Sequence, residues 1–194
     1  GCMARTPGHC AVMGTASTMA VMVESLGLSL PDNASIPAAD ARRKVLSQFS
    51  GRSIVDMVKE AMPLSKILTR EAFENAIKVN AAIGGSTNFV IHLLAIAGRM
   101  GVELDINDFD KYSRGIPLLA NIQPSGENYM EDLYYSGGLP AVIKEMSAIL
   151  HNDALTVNGS TIGENSIAAE VYNREVIGTM DNPFKPESGM VIVK

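Results

Sequence analysis

The chain has 194 residues, of which 46% are hydrophobic and 5% aromatic, and its formal net charge at pH 7 is −5. A chain of this length and apolar content can bury a core, so we expect a globular fold of about one domain. Its longest apolar run, FVIHLLAIAG, is shorter than the roughly 18 residues of a membrane span. One tight basic cluster, ARRK at 41–44, and few aromatic residues argue against nucleic acid. We therefore expect neither a membrane nor a nucleic-acid partner.

The two cysteines, Cys2 and Cys10, are too few for a disulfide framework, and the N-terminus lacks the pattern of a signal peptide. A cytoplasmic, reducing location is the resulting expectation. The sequence starts inside a motif without an initiator Met and ends in a strand-like apolar run, ESGMVIVK. These two ends indicate a fragment of a longer protein.

Helical spacing of apolar and small residues first occurs over residues 12–26, and Gly27 stands where such a helix would end. Cys10 then precedes the start of this buried helix. The next predicted helices are AADARRKVLSQF at 38–49, SIVDMVKEAM at 53–62 with a capping-box pattern at Ser53 and Asp56, and TREAFENAIKVNAAI at 69–83.

Residues 84–100, GGSTNFVIHLLAIAGRM, place a Gly-Gly turn and the polar residues Ser86, Thr87 and Asn88 directly before an apolar helix. The free N–H groups at a helix N-terminus can bind an anion, but the same polar residues also suit plain capping. Both alternatives stay open. For His92, inside the apolar helix, the pattern favours a core histidine over a ligand or base.

A short polar helix at NDFDKYSRG precedes IPLLANI at 116–122, which is typical of a fully buried strand of a parallel sheet. Two helices broken at Gly137 and Gly138 follow, and then a strand, a turn and a capping box from Thr161 to Glu164. Helices around a few buried strands predict the α/β class, with a parallel sheet covered by helices.

Cys10 has several possible roles when only its neighbours are considered. Cys2, His9 and Cys10 could hold a metal, but their spacing lacks the paired knuckles of structural zinc sites. A helix start lowers the pKa of a thiol and His9 could act as its base, although no orienting third residue can be identified. A buried cysteine that packs as a small hydrophobic residue is the remaining alternative.

Five motifs in order carry a more specific signal: PGHCAVMGTASTM, LGLSLPDNASIPA, NAAIGGSTNFVIHLLAIA, PSGENYMEDLYYSGGLPAV and LTVNGSTIGEN. Together they resemble the dihydroxy-acid and phosphogluconate dehydratase family over essentially the whole chain. The first motif is most similar to the sugar-acid (aldonate) dehydratase branch. It departs from that branch at Val12, where a polar residue is expected.

The resemblance implies a hydro-lyase that converts a 2,3-dihydroxy carboxylic acid, either an aldonic acid or a branched-chain dihydroxy acid, to a 2-keto acid. It also implies an iron-sulfur cluster held by three cysteines, with the two-iron form favoured over the four-iron form, and a Mg²⁺ ion near the substrate. Cys10 matches the third cluster cysteine, and Ser86, Thr87 and Asn88 are candidate substrate-binding residues. The other cluster cysteines, the magnesium ligands and the base serine belong to segments outside this chain. The chain would therefore carry no catalytic residue, and Cys2 is incidental.

The same resemblance implies that residues 1–178 are the C-terminal portion of the α/β dehydratase domain. Residues 179–194 would then be the linker and first strand of a β-barrel-like domain. The complete enzyme is expected to act on a small hydroxy acid as a homodimer or homotetramer, and the fragment alone to be inactive. The alternatives are a non-catalytic dimerisation part of such an enzyme and a hydrolase with Cys10 as nucleophile.

Overall fold

The structure, a computed structural model, describes residues 11–187, which are mainly helical. A single 3-10 turn, Leu64–Lys66, interrupts the α-helices. The α-helices are α1 (Thr15–Ser25), α2 (Ala41–Lys59), α3 (Arg70–Ala82), α4 (Asn88–Met100), α5 (Ile106–Ser113), α6 (Met130–Tyr135), α7 (Gly138–Glu145) and α8 (Ile162–Ser166). Within residues 11–187 no helix is both long and apolar enough to cross a membrane.

Helix α1 lies between the two hydrophobic cores, which explains why it is built from small residues and methionines. Val21 belongs to a core shared with α7 and the extended segment 116–122. Met22 belongs to a second core, made with α3, α4 and α5. Because α1 contacts both α3 and α4, its first turn is held beside the start of α4.

Most of the predicted helices are confirmed, together with the signals that end them. Gly27 follows α1 with φ +75°, and α4 ends at Gly101 with φ +70°, a left-handed conformation that glycine adopts without steric cost. Gly98 lies inside α4. The break between α6 and α7 falls at Gly137, as expected.

The prediction of two helices between residues 38 and 62 was wrong, because one continuous helix, α2, spans this region. Asp40 caps its N-terminus, with Oδ1 accepting the Arg42 N–H at 2.8 Å. The capping box predicted at Ser53 does not form, since Gly51 before it continues the helix instead of ending it. A mid-helix glycine costs only about 1 kcal/mol, too little to stop a helix that is already propagating.

The predicted parallel sheet is not confirmed: residues 11–187 contain no β-strand and four isolated bridges. The segment 116–122 is extended and largely buried, as predicted, but its partners are single residues in isolated bridges, two of them antiparallel and one parallel. Leu118 pairs with Lys185, and Ala120 pairs with Ile177. An uninterrupted apolar run indicates burial on all sides, and here loops cover the segment in place of neighbouring strands.

The C-terminal part contains the predicted capping box, in which the Thr161 hydroxyl and the Glu164 carboxylate each accept the other residue's backbone N–H. Residues 184 and 185 exchange backbone hydrogen bonds with Leu118. The predicted first barrel strand falls mainly on residues 188–194, outside the described part, so it stays a prediction, as does the proposed domain boundary at 178/179.

Glu24, on α1, fixes the loop that leads towards α2. Its side chain is buried, and its two carboxylate oxygens accept the N–H groups of Asp32 at 2.9 Å and Ala34 at 2.7 Å. Burial raises the pKa of Glu24 from 4.5 to about 8, because the cost of desolvating the charge outweighs the two hydrogen bonds. The folded protein therefore holds a proton here that the unfolded chain has already released.

We expect the free energy of unfolding to fall as the pH rises from 4.5 to about 8, because over this window only the folded state retains the Glu24 proton. The contribution of one such group is at most about 1.4 kcal/mol per pH unit. Urea unfolding across this pH range should show a weaker pH dependence for Glu24→Gln, which cannot titrate. Glu60→Gln, at the exposed end of α2, is the control that should keep the original dependence. Equal pH dependence in the Glu24→Gln variant and the unsubstituted protein would contradict the assignment.

Candidate functional site

The N-termini of α1 and α4 meet, and polar side chains link them. The amide Nδ2 of Asn88 donates to the Thr15 hydroxyl at 2.8 Å, and the hydroxyls of Thr15 and Ser86 are 3.4 Å apart. The backbone N–H of Ser86 donates to the buried Thr18 hydroxyl at 3.0 Å. Thr15 and Asn88 are exposed, so the junction between the two helices is open to a ligand.

The electrostatics of this junction favour an anion. The N-terminal end of each helix carries a partial positive charge. The two ends lie so close together that one side-chain hydrogen bond, from Asn88 to Thr15, joins them. Neither α1 nor α4 has an acidic residue in its first turn, and neither N-cap residue, Gly14 or Thr87, caps its helix with a side chain. The Ser86 hydroxyl does accept the Asn88 N–H at 3.3 Å, so plain capping accounts for part of the turn.

The turn between α3 and α4 requires its two glycines. Gly84 has φ +65°, and a Cβ at Gly85 would overlap Oδ1 of Asn80 and lie 3.1 Å from Cγ2 of Thr18. The backbone of this turn therefore lies directly against α1 and α3. This close approach sets the position of Ser86 beside Thr15.

The predicted site residues have different outcomes. Ser86 and Asn88 come together at the junction, while Thr87 is exposed beside them without capping the helix. The prediction of a core histidine at His92 was wrong, because this side chain is on the solvent-exposed face of α4. An apolar helix packed on one side has an outer face as well, and His92 falls on it.

Cys10 lies outside the described residues, so its predicted role as a cluster ligand stays a prediction. The backbone that follows it is held in two places: the carbonyl of Ala11 accepts the Met130 N–H at 2.8 Å, and the Met13 N–H donates to the Gln123 carbonyl at 2.7 Å. Among residues 11–187, no three His, Cys, Asp or Glu side chains are grouped in a way that could hold a metal ion. The described part alone therefore does not supply a complete metal site.

The sequence interpretation missed Thr15 and Thr18, which lie three residues apart on α1 and both contact the turn before α4. The run GTASTM predicts a packed helix and forms part of the first family motif, but neither reading assigns Thr15 or Thr18 to the site. The sequence feature that could have identified them is the three-residue spacing of the Thr15 and Thr18 hydroxyls, which places both on one face of α1 at its start. That spacing became informative only once the partner turn, some 70 residues later, was known.

Comparison with known proteins gives the family. Residues 1–165 match the family profile described as the dihydroxy-acid/6-phosphogluconate dehydratase N-terminal region. A protein of Rhizobium meliloti (strain 1021), named as dehydratase IlvD1, is 54% identical over 192 residues. The dihydroxy-acid dehydratase of Ignicoccus hospitalis (strain KIN4/I / DSM 18386 / JCM 14125) is 47% identical over 190 residues. The L-arabinonate dehydratase of Rhizobium leguminosarum bv. trifolii (strain WSM2304) is 49% identical over 194 residues.

These alignments cover 97% to 99% of this chain but only 33% to 34% of each relative. The chain thus spans about a third of the length of the curated relatives it matches. The match of the family profile extends from before α1 into α8 and includes both helices of the junction. The chain therefore belongs to the dihydroxy-acid/6-phosphogluconate dehydratase family.

Proposed function

We propose that this chain forms one wall of the reaction centre of a hydro-lyase that removes water from a 2,3-dihydroxy carboxylic acid to give a 2-keto acid. The observation that carries the proposal is the junction of the α1 and α4 N-termini, which follows Cys10 in the sequence and is lined by Thr15, Ser86 and Asn88. Relatives named dihydroxy-acid dehydratase and L-arabinonate dehydratase support this substrate class.

In this proposal, the junction binds the carboxylate of the substrate. Two helix starts with no acidic residue in either first turn attract the negative charge, and the Asn88 amide and the Thr15 hydroxyl provide hydrogen bonds. A fixed carboxylate orients carbons 2 and 3 of the acid. Such positioning contributes to catalysis without any covalent role for these residues.

An iron-sulfur cluster, of the two-iron form, is part of the proposal, and Cys10 would provide one of its thiolate ligands. A cysteine just before a helix start suits this role, because the helix N-terminus favours the thiolate over the thiol. When bound, the cluster supplies a Lewis-acidic iron for the departing 3-hydroxyl group. The remaining cysteines, the Mg²⁺ ligands and the base serine would come from outside this chain, so we expect the chain alone to be inactive.

A second candidate function, assembly into a homodimer or homotetramer, is favoured by the surface of α2. Apolar side chains on this helix are exposed, among them Phe49, at 50%, and Val58, at 76%. The helix α4 buries Phe89 and Leu93 in its own core. Analytical ultracentrifugation with metal analysis separates the functions: a dimer without iron supports assembly alone, and iron-dependent colour supports the reaction centre.

The test of the hydro-lyase proposal uses an exchange protein, in which this chain replaces the matching segment of the Rhizobium leguminosarum L-arabinonate dehydratase. We expect the anaerobically prepared exchange protein to form a 2-keto acid from L-arabinonate. Asn88→Ala should raise the KM for L-arabinonate about tenfold, because it removes one charge-assisted hydrogen bond.

Asn107→Ala, at an exposed position on α5, is the matched control and should leave the KM unchanged. If Asn88→Ala leaves both KM and kcat unchanged, the turn at 86–88 is only a helix cap. An exchange protein that folds and binds iron but forms no 2-keto acid would overturn the proposed function itself.

A further inference from the structure

The turn at residues 156–160 contains the one Asn-Gly pair of the sequence, Asn158 and Gly159. Asn-Gly is the dipeptide in which an asparagine side chain loses ammonia most readily. The backbone nitrogen of the glycine attacks Cγ of the asparagine, and the missing Cβ of glycine leaves that approach open. Asn158 is exposed, so water reaches its side chain. The pair therefore has both the composition and the access that deamidation needs.

The structure holds the Asn158 side chain at both ends of its amide group. Oδ1 accepts the Thr156 hydroxyl at 2.7 Å and the Ser160 N–H at 3.0 Å. Nδ2 donates to Oδ1 of Asn165, on α8, at 2.8 Å. Hydrogen bonds to an amide lie near its plane, so these three contacts fix the orientation of that plane. The face of Cγ turns towards the Gly159 nitrogen only if some of them break.

The attacking nitrogen is also engaged. The Gly159 N–H donates to the Thr156 carbonyl at 3.0 Å, and because the nitrogen gives up this proton when it bonds to Cγ, the reaction breaks that hydrogen bond. The turn is fastened to the end of α1 as well, where the Val157 N–H donates to the Gly27 carbonyl at 2.8 Å. An intact turn thus opposes deamidation at both reacting atoms.

We infer that Asn158 is a latent deamidation site, which its hydrogen bonds to Asn165 and Thr156 keep unreacted while the turn is intact. In the reaction, the Gly159 nitrogen bonds to Cγ of Asn158, and Nδ2 takes up the proton that this nitrogen loses and leaves as ammonia. One water molecule then opens the resulting succinimide at either of its carbonyls, which gives aspartate or isoaspartate. This inference is independent of the proposed function.

Either product loosens the turn. Aspartate places a carboxylate oxygen where Nδ2 of Asn158 now donates to Oδ1 of Asn165, so a hydrogen bond becomes a contact between two acceptors. Isoaspartate adds a methylene group to the backbone between Val157, which is bonded to Gly27, and Gly159. Opening of the turn therefore leaves a lasting chemical change that weakens its attachment to α1.

The first experiment compares the folded exchange protein with the same protein unfolded in urea, both kept at mildly alkaline pH. Mass spectrometry of the tryptic peptide 145–174 measures the fraction of Asn158 in which NH2 is replaced by OH. We expect conversion to be at least tenfold faster in the unfolded protein, because several hydrogen bonds no longer oppose it. Equal rates would overturn the protection by the turn, and no conversion in the unfolded protein would overturn the site itself.

The second experiment tests the named partners in the folded exchange protein. Asn165→Ala removes the acceptor of Nδ2 and should speed conversion of Asn158 about fivefold, the factor expected for the net loss of one hydrogen bond. Asn173→Ala is the matched control, because Oδ1 of Asn173 accepts the Glu175 N–H away from the turn, and it should leave the rate unchanged. Thr156→Val gives the same test if Asn165→Ala does not fold. A folded variant of either kind that converts no faster than Asn173→Ala would contradict the role of these bonds.

Discussion

Replacing Cys10 by serine in the exchange protein is expected to remove the iron and acid-labile sulfide and to abolish formation of the 2-keto acid. Iron prefers thiolate ligands, and a serine hydroxyl stays protonated at neutral pH, so the substitution would remove one of the three proposed cluster ligands. The far-ultraviolet circular dichroism should stay unchanged, since the substitution replaces one small side chain by another. Iron and sulfide analysis of the purified variant measures the effect.

The control for this variant is Cys2→Ser, which should keep the cluster and the activity, because Cys2 is not one of the proposed cluster ligands. Unchanged iron content in Cys10→Ser would contradict the ligand role. A nucleophilic Cys10 would give a different pattern: rapid alkylation of one cysteine, loss of a hydrolytic activity, and no iron in either protein.

The substitution Gly137→Ala should lower the free energy of unfolding by about 3 kcal/mol or more. Gly137 separates α6 from α7 with φ +121°, which L-residues with side chains rarely adopt. A Cβ here would also overlap the backbone carbonyl oxygen of Glu170 and lie 2.8 Å from the Cβ of Ala141. Backbone strain and steric overlap each cost about 1 to 3 kcal/mol, and here they act together. Urea unfolding of the variant measures the loss.

Gly98→Ala is the matched control, because it makes the same chemical change in the interior of α4, where a Cβ meets no atom within 4 Å. Here alanine should raise the free energy of unfolding by about 1 kcal/mol, since it favours the helix over the unfolded chain. If the two variants unfold at the same urea concentration, the close approach of Gly137 to Glu170 is not a constraint on the fold.

The parts of the fold that the sequence predicted correctly depend on local signals. The capping box of Thr161 and Glu164, the glycine after α1 and the Gly-Gly break before α7 each act within a few residues, where spacing determines the hydrogen bonds. The predicted sheet depended on long-range pairing. The run at 116–122 indicated burial, but an apolar run does not reveal whether strands or loops supply its hydrogen-bond partners.

The same difference between local signals and long-range contacts applies to the prediction of the candidate site. Ser86 and Asn88 were predicted because they directly precede an apolar helix, whereas Thr15 and Thr18 belong to the site only through contact with a turn about 70 residues away.

In the proposed enzyme, Cys10 and the junction of α1 and α4 form one reaction centre. Iron anomalous diffraction from crystals of the exchange protein with L-arabinonate bound tests it most directly. We expect iron bonded to Sγ of Cys10, with the substrate carboxylate at the N-termini of α1 and α4 beside Asn88. Iron bonded only to other residues, or a substrate carboxylate bound away from both helix starts, would contradict it.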